Sequence, residues 1–175
     1  MKMKTGIIRR IDDLGRIVIP KEVRRAQHIR EGDPLEISTC GRNIVLTPYE
    51  LLSEMDYILT PCVEALSAHK DMVIITTKDR VLRSTVCDVH RDTPLTPWLM
   101  DVIQTRKEFL PADNTNQYGE KVLYTVKAVL PVVSCGDLFG AVVVLSNSSG
   151  SIEDAQLQRA RFVAEILRKA ADTIA

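Results

Sequence analysis

Aromatic residues are scarce in this chain: one Trp, four Tyr and three Phe make up 5% of its 175 residues, and none precedes Tyr49. Whatever core the first part of the chain builds is therefore made chiefly of Ile, Val and Leu. Cysteine is sparse too. Cys40, Cys62, Cys87 and Cys135 stand far apart with no C-x-x-C pair, and His28, His69 and His90 are too scattered for a metal-ligand spacing. Neither a disulfide framework nor a zinc motif is in the pattern. No apolar run is long: residues 141–145 are typical, against about 20 residues for a membrane span. Nothing at the N-terminus reads as a signal peptide. These absences predict a cytoplasmic protein with reduced thiols, no metal, no cofactor and no membrane partner. Net charge is missing as well, at zero. At face value this speaks against a nucleic-acid partner, because phosphate recognition needs concentrated positive charge.

The zero is an average of two unequal parts. Residues 1–30 hold nine basic residues, Lys2, Lys4, Arg9, Arg10, Arg16, Lys21, Arg24, Arg25 and Arg30, against Asp12, Asp13 and Glu22, a net of +6 that leaves −6 for the remainder. A basic head on an acidic body is the split expected when one part binds a polyanion and the other does not. With 45% hydrophobic and 26% charged residues, the chain is otherwise an ordinary folded protein of one domain or two small ones.

Within the head, residues 6–11 and 16–19 alternate as strands joined through Asp12, Asp13, Leu14 and Gly15, the glycine being available for a positive φ. Pro20 cannot donate to a ladder but suits a helix's first turn, so a short helix is expected through Ala26, with Val23 and Ala26 inward and Lys21, Arg24 and Arg25 toward water. EGDP at residues 31–34 is a turn, and residues 35–39 and 43–47 form a second strand pair about Gly41. A unit of about 50 residues without aromatics, disulfide or metal lies below the roughly 70–80 residues at which one core suffices. An obligate dimer sharing one core is therefore expected.

The run TGIIRRIDDLGRIVIPKEVRR, followed by IREGDPLEI, resembles the AbrB-type swapped-hairpin DNA-binding domain of bacterial transition-state regulators, in the form where that domain precedes a GAF domain. The resemblance implies an N-terminal swapped-hairpin β-barrel dimer, a double-stranded DNA partner and a role in sporulation gene control. Carried over by position, the DNA contacts fall on Arg9, Arg16, Arg24 and Arg25, with Lys4 and Arg10 as secondary candidates. Arginine suits both tasks there, since its fork grips phosphate bidentately and can reach guanine O6 and N7. The bland reading is that these are solvated charges pairing with Asp12, Asp13 and Glu22. For Lys21 and Arg30 that reading is as good as contact.

Residues 51–70 predict a connecting helix. Leu52, Met55, Leu59, Cys62, Leu66 and His69 follow a three-four spacing widened by Ile58 and Val63. Pro61 would break it at about 3 kcal/mol in a helix interior. Two readings stand: a broken helix packed on the second domain's sheet, or a short seam between subunits.

From residue 71 to 175 the order is strand, strand, helix, strand, strand, helix. Residues 72–77 and 81–86 suit a hairpin, and Thr96 and Pro97 start a helix with Trp98, Leu99, Val102 and Ile103 as its apolar side. Residues 110–121 read as a loop, and residues 122–133 and 138–146 as two long strands joined by Ser134, Cys135, Gly136 and Asp137. A last helix, capped by Ser151, carries a stripe of Ala160, Val163, Ile166, Leu167, Ala170 and Ile174. This α+β pattern, an antiparallel sheet flanked by helices, is similar to a GAF domain, in which residues 87–121 would frame any pocket for a small-molecule ligand.

The expectation is a DNA-binding transcriptional regulator, not an enzyme, with domains at 1–50 and 71–175, a homotetramer in which the GAF-like domains control oligomerisation or sense a signal. Two rivals belong to other classes. AbrB-type domains also serve as DNA-binding antitoxin heads. Some GAF-fold proteins are thiol redox enzymes, for which Cys87 and Cys135 would be the attacking and resolving thiols.

Overall fold

The computed structural model describes residues 6–27, 29, 31–112, 115–119, 122–148 and 150–174, the side chain of residue 174 excepted. It divides into two compact units, Met1–Tyr49 and Glu50–Ala175.

In the first unit, α1 (Lys21–Ala26) follows Pro20, and β1 (Leu35–Cys40) pairs antiparallel with β2 (Asn43–Pro48) in unbroken register from Leu35↔Pro48 to Cys40↔Asn43. Gly41, at φ +61, turns the hairpin. Residues 6–19 join no ladder among the described residues. Their alternating Ile and Val predict strands, but a strand is defined by a partner, and none of the described residues pairs with them. The turn between them does form. Helix α1 buries nothing: Val23 is 38% exposed and Arg24 is half-buried, the reverse of the expected facing.

The second unit is a five-stranded antiparallel sheet ordered β4-β3-β7-β6-β5, built of β3 (Val73–Thr76), β4 (Val81–Ser84), β5 (Gln117–Tyr118), β6 (Tyr124–Ser134) and β7 (Asp137–Ser146). Helices α2 (Leu51–Glu54), α3 (Asp56–Ala68) and α5 (Asp154–Ile174) lie together, α2 and α5 against β7 and α3 against β4 and α5. Helix α4 (Pro97–Gln104) packs on β6 and β7 with Leu99 and Ile103 fully buried. Because both faces of the sheet are covered, β6 and β7 read as near-continuous apolar runs rather than alternating ones. This is the GAF-like arrangement.

Local chemistry explains most element ends. Thr96 caps α4 by accepting from the Leu99 amide at 3.3 Å, with Pro97 at the first helical position. Cys135 and Gly136 both have positive φ, 51° and 89°, as a two-residue hairpin of the I′ type requires. The break in the connecting segment falls at Met55, not at Pro61, which sits inside α3. Pro61 is exposed, so the carbonyl it leaves without a donor lies where water can reach it. Leu51, Leu52, Met55, Leu59, Cys62 and Leu66 are all buried, which places this segment in the second unit's core. Helix α5 begins three residues after Ser151, and its buried stripe is Leu157, Ala160, Val163, Leu167 and Ala171, with Ile166 and Ala170 half-buried.

Candidate nucleic-acid interface

The turn at Asp12 organises the basic head. The Asp12 amide donates to the Arg16 carbonyl at 3.1 Å and the Gly15 amide to the Asp12 carbonyl at 3.1 Å, with Gly15 at φ +76. The Asp12 carboxylate accepts through Oδ1 from the amides of Leu14 (3.0 Å) and Arg16 (2.8 Å), and through Oδ2 from Arg16 Nε (2.8 Å). These donors hold its pKa below the ordinary value, the Arg16 amide first and the Arg16 guanidinium second. The sequence places the turn at Asp12–Gly15 and offers Asp12 as a rival for the arginines' charge; the structure adds that its carboxylate both closes the turn and orients Arg16.

The other candidates differ from Arg16. Arg9, Arg10 and Arg25 are exposed and Arg24 is half-buried; among the described residues none has a carboxylate within ion-pair distance. Lys21 is exposed on α1. Lys4 and Arg30 lie outside the described residues. Among the described candidates the solvated-pair reading thus holds for Arg16 alone, and there the pair leaves Arg16 70% exposed.

Apolar side chains share this surface. Ile8 is 89% exposed, Val18 74% and Ile37 71%, and Ile7, Ile11, Leu14, Ile17 and Ile44 are each more than half exposed. Isolated exposed aliphatics are normal, but so many in one small unit form an unusually apolar surface.

In the second unit, described residues of the span expected to frame a pocket contribute to the core. Val86, Val89, Leu95, Leu99, Ile103, Tyr118, Tyr124, Val126 and Val129 form one buried cluster, with Trp98 packed on it and set edge-on to Phe109 at 6.0 Å between ring centroids. Trp98 is thus a core residue. The Tyr124 hydroxyl donates to Asp88 Oδ1 at 2.8 Å, and this bond, with the burial, raises the tyrosine's pKa. An open cleft of about 360 Å³ lies elsewhere, lined by Arg106, Glu108, Leu130, Pro131 and the α5 residues Arg161, Ala164, Glu165 and Arg168. Its arginines are engaged: Arg161 with Glu108 (2.5 Å), Arg168 with Glu165 (2.6 Å) and Asp172 (3.1 Å). The described residues contain no His, Cys, Asp and Glu group that could hold a metal.

Cys87 and Cys135 are both exposed, yet they do not meet. Cys87 adjoins Asp88, which is bonded to Tyr124 at the start of β6, whereas Cys135 follows Ser134 at its end. At ~3.3 Å per residue the two thiols are roughly 30 Å apart, while disulfide partners have Cα atoms within about 7 Å. Cys62 is buried, which pushes its thiol pKa up.

Comparison with known proteins agrees with this division. Residues 8–51 match the family model described as antidote-toxin recognition MazE, bacterial antitoxin. The transition state regulatory protein AbrB of Bacillus subtilis (strain 168) is 50% identical over 46 residues, 26% of this chain and 48% of that protein. A methyl-accepting chemotaxis protein, residues 122 to 287, superposes with a TM-score of 0.50 at 16% identity, covering 70% of this chain and 90% of its own, a likeness of fold alone. The stage V sporulation protein T of the same Bacillus strain is 36% identical over 169 residues, 89% of this chain and 93% of that protein. The chain belongs to the stage V sporulation protein T family.

Proposed function

We propose that this protein is a DNA-binding transcriptional regulator of sporulation genes, whose basic head grips double-stranded DNA as a dimer and whose GAF-like body sets assembly or senses a signal. The observation that carries the reading is the coincidence, in one small unit, of arginines without carboxylate partners and aliphatics without cover. A second copy would cover the aliphatics and supply partner strands for residues 6–19. It would also present each arginine twice at fixed spacing, which suits a duplex whose phosphates repeat on both strands. Arg9, Arg16, Arg24 and Arg25 are the assigned contacts, with Lys4 and Arg10 secondary. The body joins two such dimers into a tetramer, which gains affinity through effective concentration. The protein works in the cytoplasm and catalyses no reaction; among the described residues no helix is long and apolar enough to cross a membrane.

The test is anisotropy of labelled duplex DNA against the intact protein across a salt series, beside an Arg24→Ala, Arg25→Ala double variant. Each phosphate contact contributes about 0.9 to the slope of log K against log salt. Four arginines lost per dimer would flatten the slope by about 3 to 4 if all touch phosphate. Equal slopes for the two proteins would remove these residues from the interface. Sedimentation showing dimers alone at working concentration would remove the tetramer.

The antitoxin reading has one observation in its favour, the description of the family model that matches the head. Against it stands the second unit, a sheet with core on both faces, where an antitoxin of this type needs only a short toxin-binding tail. Limited proteolysis that leaves residues 50–174 intact favours the regulator.

A further inference from the structure

The tether leaving the head enters the second unit at Glu50, and arginines from one edge of the sheet meet its acidic residues. Arg80 Nη2 donates to Glu50 Oε2 at 2.5 Å, and Arg80 Nε lies 3.2 Å from Asp92 Oδ1. Asp56, in the first turn of α3, binds Arg83 at 2.5 Å through Oδ1 and faces Arg91 at 3.6 Å through Oδ2. Arg80 and Asp56 are thus each shared between two stretches of chain. Arg91 and Asp92, their outer partners, are neighbours in the loop of residues 85–95.

That loop has two faces. Its backbone runs along the outer edge of β4, the Asp92 amide donating to the Val81 carbonyl at 2.8 Å and the Val81 amide to the Thr93 carbonyl at 2.9 Å. Its apolar residues Val86, Val89 and Leu95 belong to the core on the α4 side of the sheet. Of its charged residues, Arg91 reaches Asp56 of the tether and Asp92 reaches Arg80, which holds Glu50, while Asp88 turns to Tyr124. Asp92 holds φ +65, a region that side chains other than glycine, asparagine and aspartate rarely enter. The loop therefore touches the α4-side core and the tether at once.

We infer that Arg80, Asp56, Arg91 and Asp92 form a clasp through which the 85–95 loop sets the position of residues 50–56, so that a shift of the loop is transmitted to the tether of the head. The division of labour follows from the energetics. Leu51, Leu52 and Met55 are 0–1% exposed and fix the tether to the sheet. The ion pairs are half in water, Asp56 at 50% and Asp92 at 67% exposure, and such pairs are individually weak and exchangeable. Burial holds the tether, and the charges choose among its nearby positions. A switch needs states close in free energy, which weak pairs supply.

The consequence for DNA rests on the proposed function; the clasp itself does not. The experiment uses the full chain with Arg91→Gln and Asp92→Asn together, changes confined to exposed loop positions, asparagine being tolerated at positive φ. Hydrogen exchange is read at the amides of Ser53 and Met55, which are bonded to the Glu50 and Leu52 carbonyls, with the α5 amides as reference, and DNA affinity is measured in parallel. The clasp requires exchange at Ser53 and Met55 to quicken by about two- to fivefold with α5 unmoved, and its transmission to a DNA-binding head requires Kd to change by a similar factor. Exchange altered only within residues 85–95 would overturn it, and so would a loosened tether with unchanged DNA affinity. If the wild-type protein binds no DNA, the proposed function fails on its own, and the exchange result still decides the clasp.

Discussion

Gly140→Ala is the most stringent single test of how the second unit is packed. Gly140 lies in β7 opposite Val132 of β6, on the side where β3 runs past. A Cβ at this position would sit 1.9 Å from the Thr76 carbonyl oxygen, 2.9 Å from the Thr76 carbonyl carbon and 3.0 Å from Leu52 Cδ1. Ordinary contact needs about 3.4 Å, so the deficit is about 1.5 Å against a backbone atom that cannot swing aside. The strand must move, and with it the ladder in which Thr76 faces Ala141. Overpacking typically costs about 1–3 kcal/mol when side chains can adjust; with a backbone atom in the way, about 3 kcal/mol or more is expected. That is a large share of a domain's about 5–15 kcal/mol. Urea unfolding followed by circular dichroism should show the midpoint of the body falling with its slope unchanged. Gly136→Ala is the control: it has open space around its Cβ and only a positive φ to lose, at about 1 kcal/mol. If Gly140→Ala lies within about 0.5 kcal/mol of wild type, the scale of a neutral surface change, the close approach of β3 to β7 is wrong.

Asp12→Asn and Asp12→Ala should separate in the DNA assay. Asparagine can keep the turn's bonds to the Leu14 and Arg16 amides and lose only the ion pair, so it should bind better than alanine, and equal loss in both would deny the turn its role. Because the Asp12 pKa is depressed, its support of the turn is complete above about pH 4 and is lost as pH falls through the lower folded value; turn amide shifts measured by NMR should follow that course. Tyr124 runs the other way. Its raised pKa means support present below about pH 10 and lost as pH rises further, so absorbance at high pH should show a late-titrating component that Asp88→Asn brings earlier. Maleimide should label Cys87 and Cys135 quickly and Cys62 slowly in the folded protein, and fast labelling of Cys62 would contradict its burial.

Local chemistry was legible in the sequence wherever a residue type demands one geometry. Gly41 and the Cys135–Gly136 pair located their hairpins, and Thr96 with Pro97 located the start of α4. What could not be read depends on distant partners. Residues 6–19 alternate as strands do, but pairing is non-local, and among the described residues they join no ladder. Pro61 pointed to a break in the wrong place, because its cost depends on whether the freed carbonyl faces water. The apolar residues of the 86–103 span were visible, but not that Val86, Val89, Leu95, Leu99 and Ile103 join one buried cluster with residues of β5 and β6. Arg80 and Asp56 gave no signal at all, since ion pairs across a fold carry no periodicity.

The neutral sum of the chain conceals a difference in how its charges are used. In the body, arginines are met by carboxylates of the same unit: Arg159 by Asp71 in a two-point pair at 2.6 and 2.7 Å, Arg161 by Glu108, Arg168 by Glu165, Arg80 by Glu50 and Arg83 by Asp56. In the head, among the described residues, only Arg16 is so met. Most of the body's described arginines are therefore paired within the body, while Arg9, Arg10, Arg24 and Arg25 of the head are not met by a carboxylate among the described residues. A polyanion reaching Arg9, Arg10, Arg24 or Arg25 would displace counterions rather than protein carboxylates, whereas at Arg16 it meets Asp12. On the proposed reading, the salt dependence of binding then counts phosphate contacts almost directly. Freeing Arg16 by Asp12→Asn would change orientation and affinity while leaving that count the same.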